Sequence, residues 1–226
     1  MINVIPDTTN ARAKTRIVVL ISGSGSNLQA FIDARDNRQL DADLVAVISN
    51  RPEATGLERA ARAGITSRVI DHQAYPQRLE FDRTLAAAVA DYKPDLVILA
   101  GFMRILSAEF VDRFSGRILN IHPSLLPKYP GLNTHQRALD AGDKEAGTTV
   151  HFVTSQLDGG PPIVQGAVPI ISGDSAADIA ARVLGVEHVI FPMAAQWYCE
   201  GRLSMQDGAT LLDGEVLAPT GRTFEA

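Results

Sequence analysis

Residues 16–27 read RIVVLISGSGSN, and this stretch decides the fold class. Ile17 to Ile21 is an unbroken apolar run, the pattern of a strand buried on both faces. Ser22-Gly23-Ser24-Gly25-Ser26-Asn27 then forms a turn rich in glycine and hydroxyl groups, and Leu28 to Arg35 reads as a helix. Buried strand, glycine turn and helix together open a βαβ unit. The same alternation recurs outward. Leu44 to Ile48 and Leu96 to Ala100 are short apolar runs, while Gly56 to Ala63 and Leu79 to Tyr92 are helical and Pro94 stops the latter. This βαβαβαβ pattern predicts an α/β fold: a mostly parallel twisted sheet flanked by helices, with right-handed crossovers and a Rossmann-like N-terminal half.

The second half is less regular. Arg117 to Ile121 reads as a strand running into Pro123, and Ser124 to Leu132 as a loop held by Pro127, Pro130 and Gly131. A short helix follows near Thr134 to Ala141, then strands at Thr148 to Val153 and Ile163 to Ile170. Asp174-Ser175 caps a long helix reaching about Glu200, and Asp213-Gly214 is a tight turn in a terminal hairpin. We expect one domain over residues 16–218, with a phosphate-binding half at about 16–115 and a catalytic half at about 116–218. Residues 1–15 and 219–226 are expected to be tails.

The net charge of −5 and the lack of a basic tract point away from a nucleic-acid partner. A single cysteine, Cys199, allows no intrachain disulfide and no cysteine-rich zinc site; it reads as a small buried residue. The five histidines lack zinc spacing, so no metal is expected. No apolar run is long enough for a bilayer and residues 1–15 lack a signal-peptide core, so the expected location is cytoplasmic, with no membrane partner.

The glycine turn suits a phosphate. Glycines let successive N–H groups point into one concavity, and the helix N-terminus adds positive partial charge. A structural turn and a dinucleotide site are the alternatives. The dinucleotide fingerprint wants a small residue where Leu28 stands, and an acidic residue where the second strand ends in Ser49-Asn50. Nicotinamide is therefore not expected.

Asn120 and His122 lie two apart on the predicted strand, so both side chains share one face, about 7 Å apart. An amide can donate to a developing oxyanion, and imidazole can move a proton. Asp158, in Leu157-Asp-Gly-Gly-Pro161, is the candidate carboxylate to orient the histidine. No activated serine or cysteine is apparent, which favours direct attack by a substrate amine. On residue type alone each of the three also fits a plain structural role, His151 fits a buttress, and His72, His135 and His188 suggest no constellation.

RIVVLISGSGSN (16–27), LAGFMRIL (99–106), ILNIHPSLLPKYPG (118–131) and GTTVHFV (147–153), followed by LDGG (157–160), closely resemble the folate-dependent phosphoribosylglycinamide formyltransferase family, over nearly all of residues 16 to 218. The resemblance implies the formyltransferase fold and transfer of formyl from 10-formyltetrahydrofolate to glycinamide ribonucleotide in purine biosynthesis. It implies Asn120, His122 and Asp158 as the catalytic trio, and Gly25, Ser26, Asn27 and Glu187 as contacts to the ribonucleotide. It implies a folate pocket from Arg78, Met103, Arg104, Ile105, Leu106, Asn120, Thr154, Ser155, Gln156, Leu157 and Asp158. Two positions depart from a relative: Ser24 stands in place of Asn, and Leu184 in place of a Gln that helps hold the ribonucleotide. The expected partners are these small molecules, with a homodimer left open. The rival readings are a formyltetrahydrofolate hydrolase, a methionyl-tRNA formyltransferase, and a phosphate- or folate-binding module without catalysis. The tRNA enzyme needs a second domain and a basic surface, and the hydrolase relatives usually carry a regulatory domain.

Overall fold

The computed structural model describes residues 13–225. The first half runs β1 (Thr15–Ile21), α1 (Ser26–Asp36), β2 (Ala42–Ser49), α2 (Gly56–Arg62), β3 (Ser67–Val69), α3 (Arg78–Asp91), β4 (Leu96–Leu99) and α4 (Ala108–Arg113). The second runs β5 (Ile118–His122), α5 (Thr134–Asp140), β6 (Glu145–Phe152), β7 (Pro162–Pro169), α6 (Ala176–Cys199), β8 (Leu203–Gln206), β9 (Ala209–Leu212), β10 (Glu215–Val216) and β11 (Arg222–Phe224). An eight-stranded sheet has the order β11-β7-β6-β5-β4-β1-β2-β3, and β8, β9 and β10 form a separate three-stranded sheet. The ladder from β3 to β5 is parallel; β6 is antiparallel to both β5 and β7, and β11 rejoins parallel to β7.

The unbroken apolar run of β1 follows from two cores. Ile17, Val19 and Ile21 pack on one face with Phe31 of α1 and Phe191 of α6, whose rings meet edge to face at 5.1 Å. Val18 and Leu20 pack on the other with Phe81 and Leu85 of α3 and Phe110 of α4. Every residue of the run is fully buried, so a polar group at any of them has no water to bond. The same alternation orients β5. Leu119 and Ile121 enter the α1/α6 core, and Ile118 the other, so Asn120 and His122 share the α3/α4 side with Ile118.

The α6 N-terminus is a capping box, in which Ser175 Oγ accepts from Asp178 N–H and the Asp178 carboxylate accepts from Ser175 N–H. Asp174 does not cap; it accepts from Ile171 N–H and pairs with Arg182. Asp213 and Gly214 both have positive φ, 56° and 83°, as the hairpin turn between β9 and β10 requires.

The sequence reading needs several corrections. Residues 1–12 of the expected N-terminal tail lie outside the described residues, but Thr15 belongs to β1. The expected C-terminal tail contains β11, whose Arg222, Thr223 and Phe224 pair with Val164, Gln165 and Gly166. β3, α4 and β8 were not singled out. β3 and β11 have three residues each, too few to show a period, and their places are set by the neighbouring strand.

Candidate active site

β1 is followed by β2 on one side and flanked by β4 on the other, so the topological switch point lies between the carboxyl ends of β1 and β4. One hydroxyl bridges it. Ser22 Oγ accepts from Met103 N–H at 2.7 Å and donates to Asn50 Oδ1 at 2.6 Å. The glycine turn after β1 and the segment after β4 are thereby locked together.

Gly25 caps α1 in the left-handed region, with φ 69°. A Cβ there would lie 2.8 Å from Gly56 Cα, so both conformation and space demand glycine. No side chain caps α1 and its first turn has no acidic residue, which leaves first-turn N–H groups and the helix dipole for an anion. Arg59, which the sequence reading missed, donates from Nε to the Ser24 carbonyl at 2.9 Å and places a cation beside this turn. Arg59 and Arg62 both stand on α2, and no motif distinguishes the one that reaches the turn.

Asn27 and Glu187 meet in the buried layer under the turn, with Asn27 Nδ2 donating to Glu187 Oε2 at 2.8 Å. Burial pushes the Glu187 carboxyl above the usual range, against hydrogen bonds from Asn27 and Thr148. Asn27 Oδ1 is buried without a partner. Leu184, three residues before Glu187 on α6, offers no polar atom.

The second cluster gathers around β5. His122 Nδ1 lies 3.4 Å from Asp158 Oδ2, with both side chains at most 10% exposed. His122 Nε2 lies 2.9 Å from the Tyr129 carbonyl oxygen. A carbonyl only accepts, so Nε2 carries a hydrogen, and Nδ1 facing Asp158 is the nitrogen left to exchange a proton. Asp158 holds its backbone at φ 48° and accepts from Gly131 N–H at 2.9 Å. The loop of Pro130 and Gly131 thus fixes the carboxylate as well as the imidazole. Beside them, Asn120 Nδ2 lies 3.1 Å from His151 Nε2. Of the weaker histidines, His135 has a buried Nδ1 without a partner, and burial followed by the His122 charge lowers its pKa. His72 packs against the Asn50 carbonyl. Cys199 is buried as expected, and burial pushes its thiol up to about 11.

Three large apolar side chains stand in the open along this edge: Met103 at 62%, Ile105 at 54% and Leu157 at 51% exposure. They flank a polar cluster, a combination that suits a flat ligand with apolar faces. Leu106 is buried beneath them, and Arg104 lies over the Phe81 ring at 5.9 Å. Arg78 is exposed at the start of α3, one turn before Phe81. Ser107 N–H donates to Asp82 at 2.7 Å, which fastens the segment after β4 to α3. Thr154, Ser155 and Gln156 lie on the excursion between β6 and β7 that delivers Asp158. That excursion turns tightly: a Cβ on Gly160 would sit 1.8 Å from the Phe152 carbonyl oxygen. Among the described residues, no three His, Cys, Asp or Glu side chains converge as metal ligands, and no helix is long and apolar enough to cross a membrane.

This arrangement, a glycine turn and uncapped helix N-terminus at one end and an amide, imidazole and carboxylate at the other, can be set beside known proteins. The formyl transferase family matches residues 15–195. The chain belongs to that family. It is 55% identical over 205 residues to phosphoribosylglycinamide formyltransferase of Escherichia coli strain K12, covering 91% of this chain and 97% of that one. The solved phosphoribosylglycinamide formyltransferase of Coxiella burnetii superimposes with a TM-score of 0.90 at 48% identity, covering 94% of this chain and all of that one. A formyltetrahydrofolate deformylase from Pseudomonas syringae superimposes at 0.82 with 25% identity, but this chain covers only 66% of it. The α/β formyl transferase architecture read from the sequence is therefore the one observed.

Proposed function

We propose that this chain transfers the formyl group of 10-formyltetrahydrofolate to the amine of glycinamide ribonucleotide, yielding formylglycinamide ribonucleotide for de novo purine biosynthesis. The observation that carries the reading is the cluster at the end of β5. An amide donor, a buried histidine and a buried carboxylate lie together on the same sheet edge as an uncapped helix N-terminus. Relatives that match nearly end to end bear the name of this activity.

The residues divide the work. The α1 N-terminus, with Gly25, Ser26 and Asn27, takes the phosphate, and Glu187, which Asn27 Nδ2 holds in place, takes ribose-side polar groups. Met103, Ile105 and Leu157, with Arg78, Arg104, Leu106 and the Thr154–Gln156 stretch, wall the folate. The amine attacks the formyl carbon directly, since no activated serine or cysteine is apparent in the cluster. A new C–N bond forms, the bond to the folate nitrogen breaks, and one proton passes from the amine to that nitrogen. Asn120 Nδ2 donates to the oxygen as its charge develops. His122 relays the proton through Nδ1, and Asp158 holds that nitrogen in place. The chemistry uses neither metal nor nicotinamide.

Purified protein mixed with 10-formyltetrahydrofolate, with and without glycinamide ribonucleotide, tests this. Release of tetrahydrofolate only with the ribonucleotide supports the transferase. Release without it makes the chain a hydrolase, and binding without turnover makes it a binding module. Turnover should survive exhaustive chelation; loss that a re-added metal restores overturns the metal-free mechanism.

A further inference from the structure

His151 stands directly opposite Asn120 in the antiparallel β5–β6 ladder, so both side chains project from the same face. Its ring is buried, and each ring nitrogen has one neighbour. Nδ1 lies 2.8 Å from the Phe152 carbonyl oxygen, and Nε2 lies 3.1 Å from Asn120 Nδ2. The carbonyl can only accept, so Nδ1 carries a hydrogen. In a neutral ring that leaves a bare lone pair on Nε2, which can only accept. The group facing Nε2 must therefore be a donor, and on Asn120 that is the amide nitrogen and not the oxygen. This bookkeeping fixes the Asn120 amide without reference to anything but its neighbours.

A second ring proton would set N–H against N–H and turn the amide over. The surroundings oppose it. Burial lowers the His151 pKa most strongly and the His122 charge lowers it further, against the Phe152 hydrogen bond and Asp158, which raise it. Glycine, hydroxyl or alkyl groups at this position could not specify the amide, because none offers a fixed acceptor between a donor and a carbonyl.

We infer that His151 is a positioning residue for the formyl transfer: by accepting one Asn120 amide hydrogen, it presents the other to the reacting oxygen and turns Asn120 Oδ1 away. The inference rests on the proposed activity, since only a developing oxyanion distinguishes the two amide orientations. An amide turned over would aim a lone pair at that oxygen. A histidine of fixed tautomer thus sets the polarity of a catalytic residue that it touches across the ladder, without itself touching substrate.

Two measurements decide it. Long-range proton–nitrogen NMR of the wild-type protein reads the tautomer without any turnover; the expected result at neutral pH is a hydrogen on Nδ1 and a bare Nε2. A hydrogen on Nε2 overturns the inference whatever the activity. Kinetics of His151→Phe, alone and on Asn120→Ala, read the consequence. The expected loss in the wild-type background is about ten- to a hundredfold in kcat with little change in KM for the ribonucleotide, and almost none in the Asn120→Ala background. Equal losses in both backgrounds, or a loss expressed in KM, make His151 merely structural. Wild-type protein that binds both substrates but transfers no formyl group overturns the functional reading, and with it the catalytic purpose of the pair, even where the Nδ1 tautomer is found.

Discussion

Replacing Asn120 by alanine isolates one hydrogen bond. The amide has two hydrogens, and one is committed to His151 Nε2 at 3.1 Å. Only the other is left for the formyl oxygen, so Asn120→Ala removes a single oxyanion donor. Such a loss is worth about 10² to 10³ in kcat, or roughly 2.7–4 kcal/mol of transition-state stabilisation. The ground-state carbonyl is a weaker acceptor than the oxyanion, so KM for either substrate should change by less than about threefold. The same substitution strands His151 Nε2 in a buried site, at a cost of about 1–3 kcal/mol to the fold. Against a typical total of roughly 5–15 kcal/mol, the variant stays folded, and lost protein does not mimic lost catalysis. The assay pairs tetrahydrofolate release at saturating substrates with urea denaturation of the same preparations. A kcat within about threefold of wild type, measured on folded protein, refutes the oxyanion role. A large kcat loss with no loss of stability refutes the buried bond to His151.

Three further outcomes follow from other parts of the site. Asp158→Asn should keep the loop, since asparagine tolerates the φ of 48° and its amide oxygen can take the place of Oδ2, which both accepts from Gly131 N–H and faces His122 Nδ1, but it removes the negative charge beside that nitrogen. We expect kcat to fall by about 10² or more with the fold intact, and a kcat within about fivefold removes Asp158 from the proton path. Glu187→Gln probes a carboxyl whose folded pKa lies above its unfolded value. The folded state then holds that proton more tightly, so this group's contribution falls as pH rises from the ordinary carboxyl range through the folded pKa. Relative to wild type, the variant should gain Tm over that window, with no gain at more acid pH, while ribonucleotide KM rises; a Tm difference that grows toward acid contradicts the assignment. Gly25→Ala forces a Cβ into a left-handed residue and to 2.8 Å from Gly56 Cα. It should raise ribonucleotide KM by about tenfold or more and leave folate KM nearly unchanged; equal effects on both substrates argue against an anion turn there.

Much of the framework is local in origin and was legible in the residues alone. The run Ile17–Ile21 names itself as a doubly buried strand because alternate residues feed two cores. The period of an extended chain puts Asn120 and His122 on one face wherever the strand goes. Of the pair Asp174-Ser175 read as the cap of α6, Ser175 is the cap, and it closes a capping box with Asp178 within a single turn. Family resemblance, and not periodicity, brought Glu187 and the folate wall into view. Tertiary structure alone decided which groups meet. Asn27 and Glu187 are 160 residues apart in the chain, and no local pattern encodes a bond between α1 and α6. The antiparallel register of β5 and β6 makes His151 the partner of Asn120, where a slip of one residue would turn it to the opposite face. The excursion to Asp158 and the turn at Tyr129 and Gly131 come from different parts of the chain to clamp His122. Periodicity is a property of the backbone within a few residues. Pairing depends on how loops close and sheets register, and those are settled only when the two cores pack.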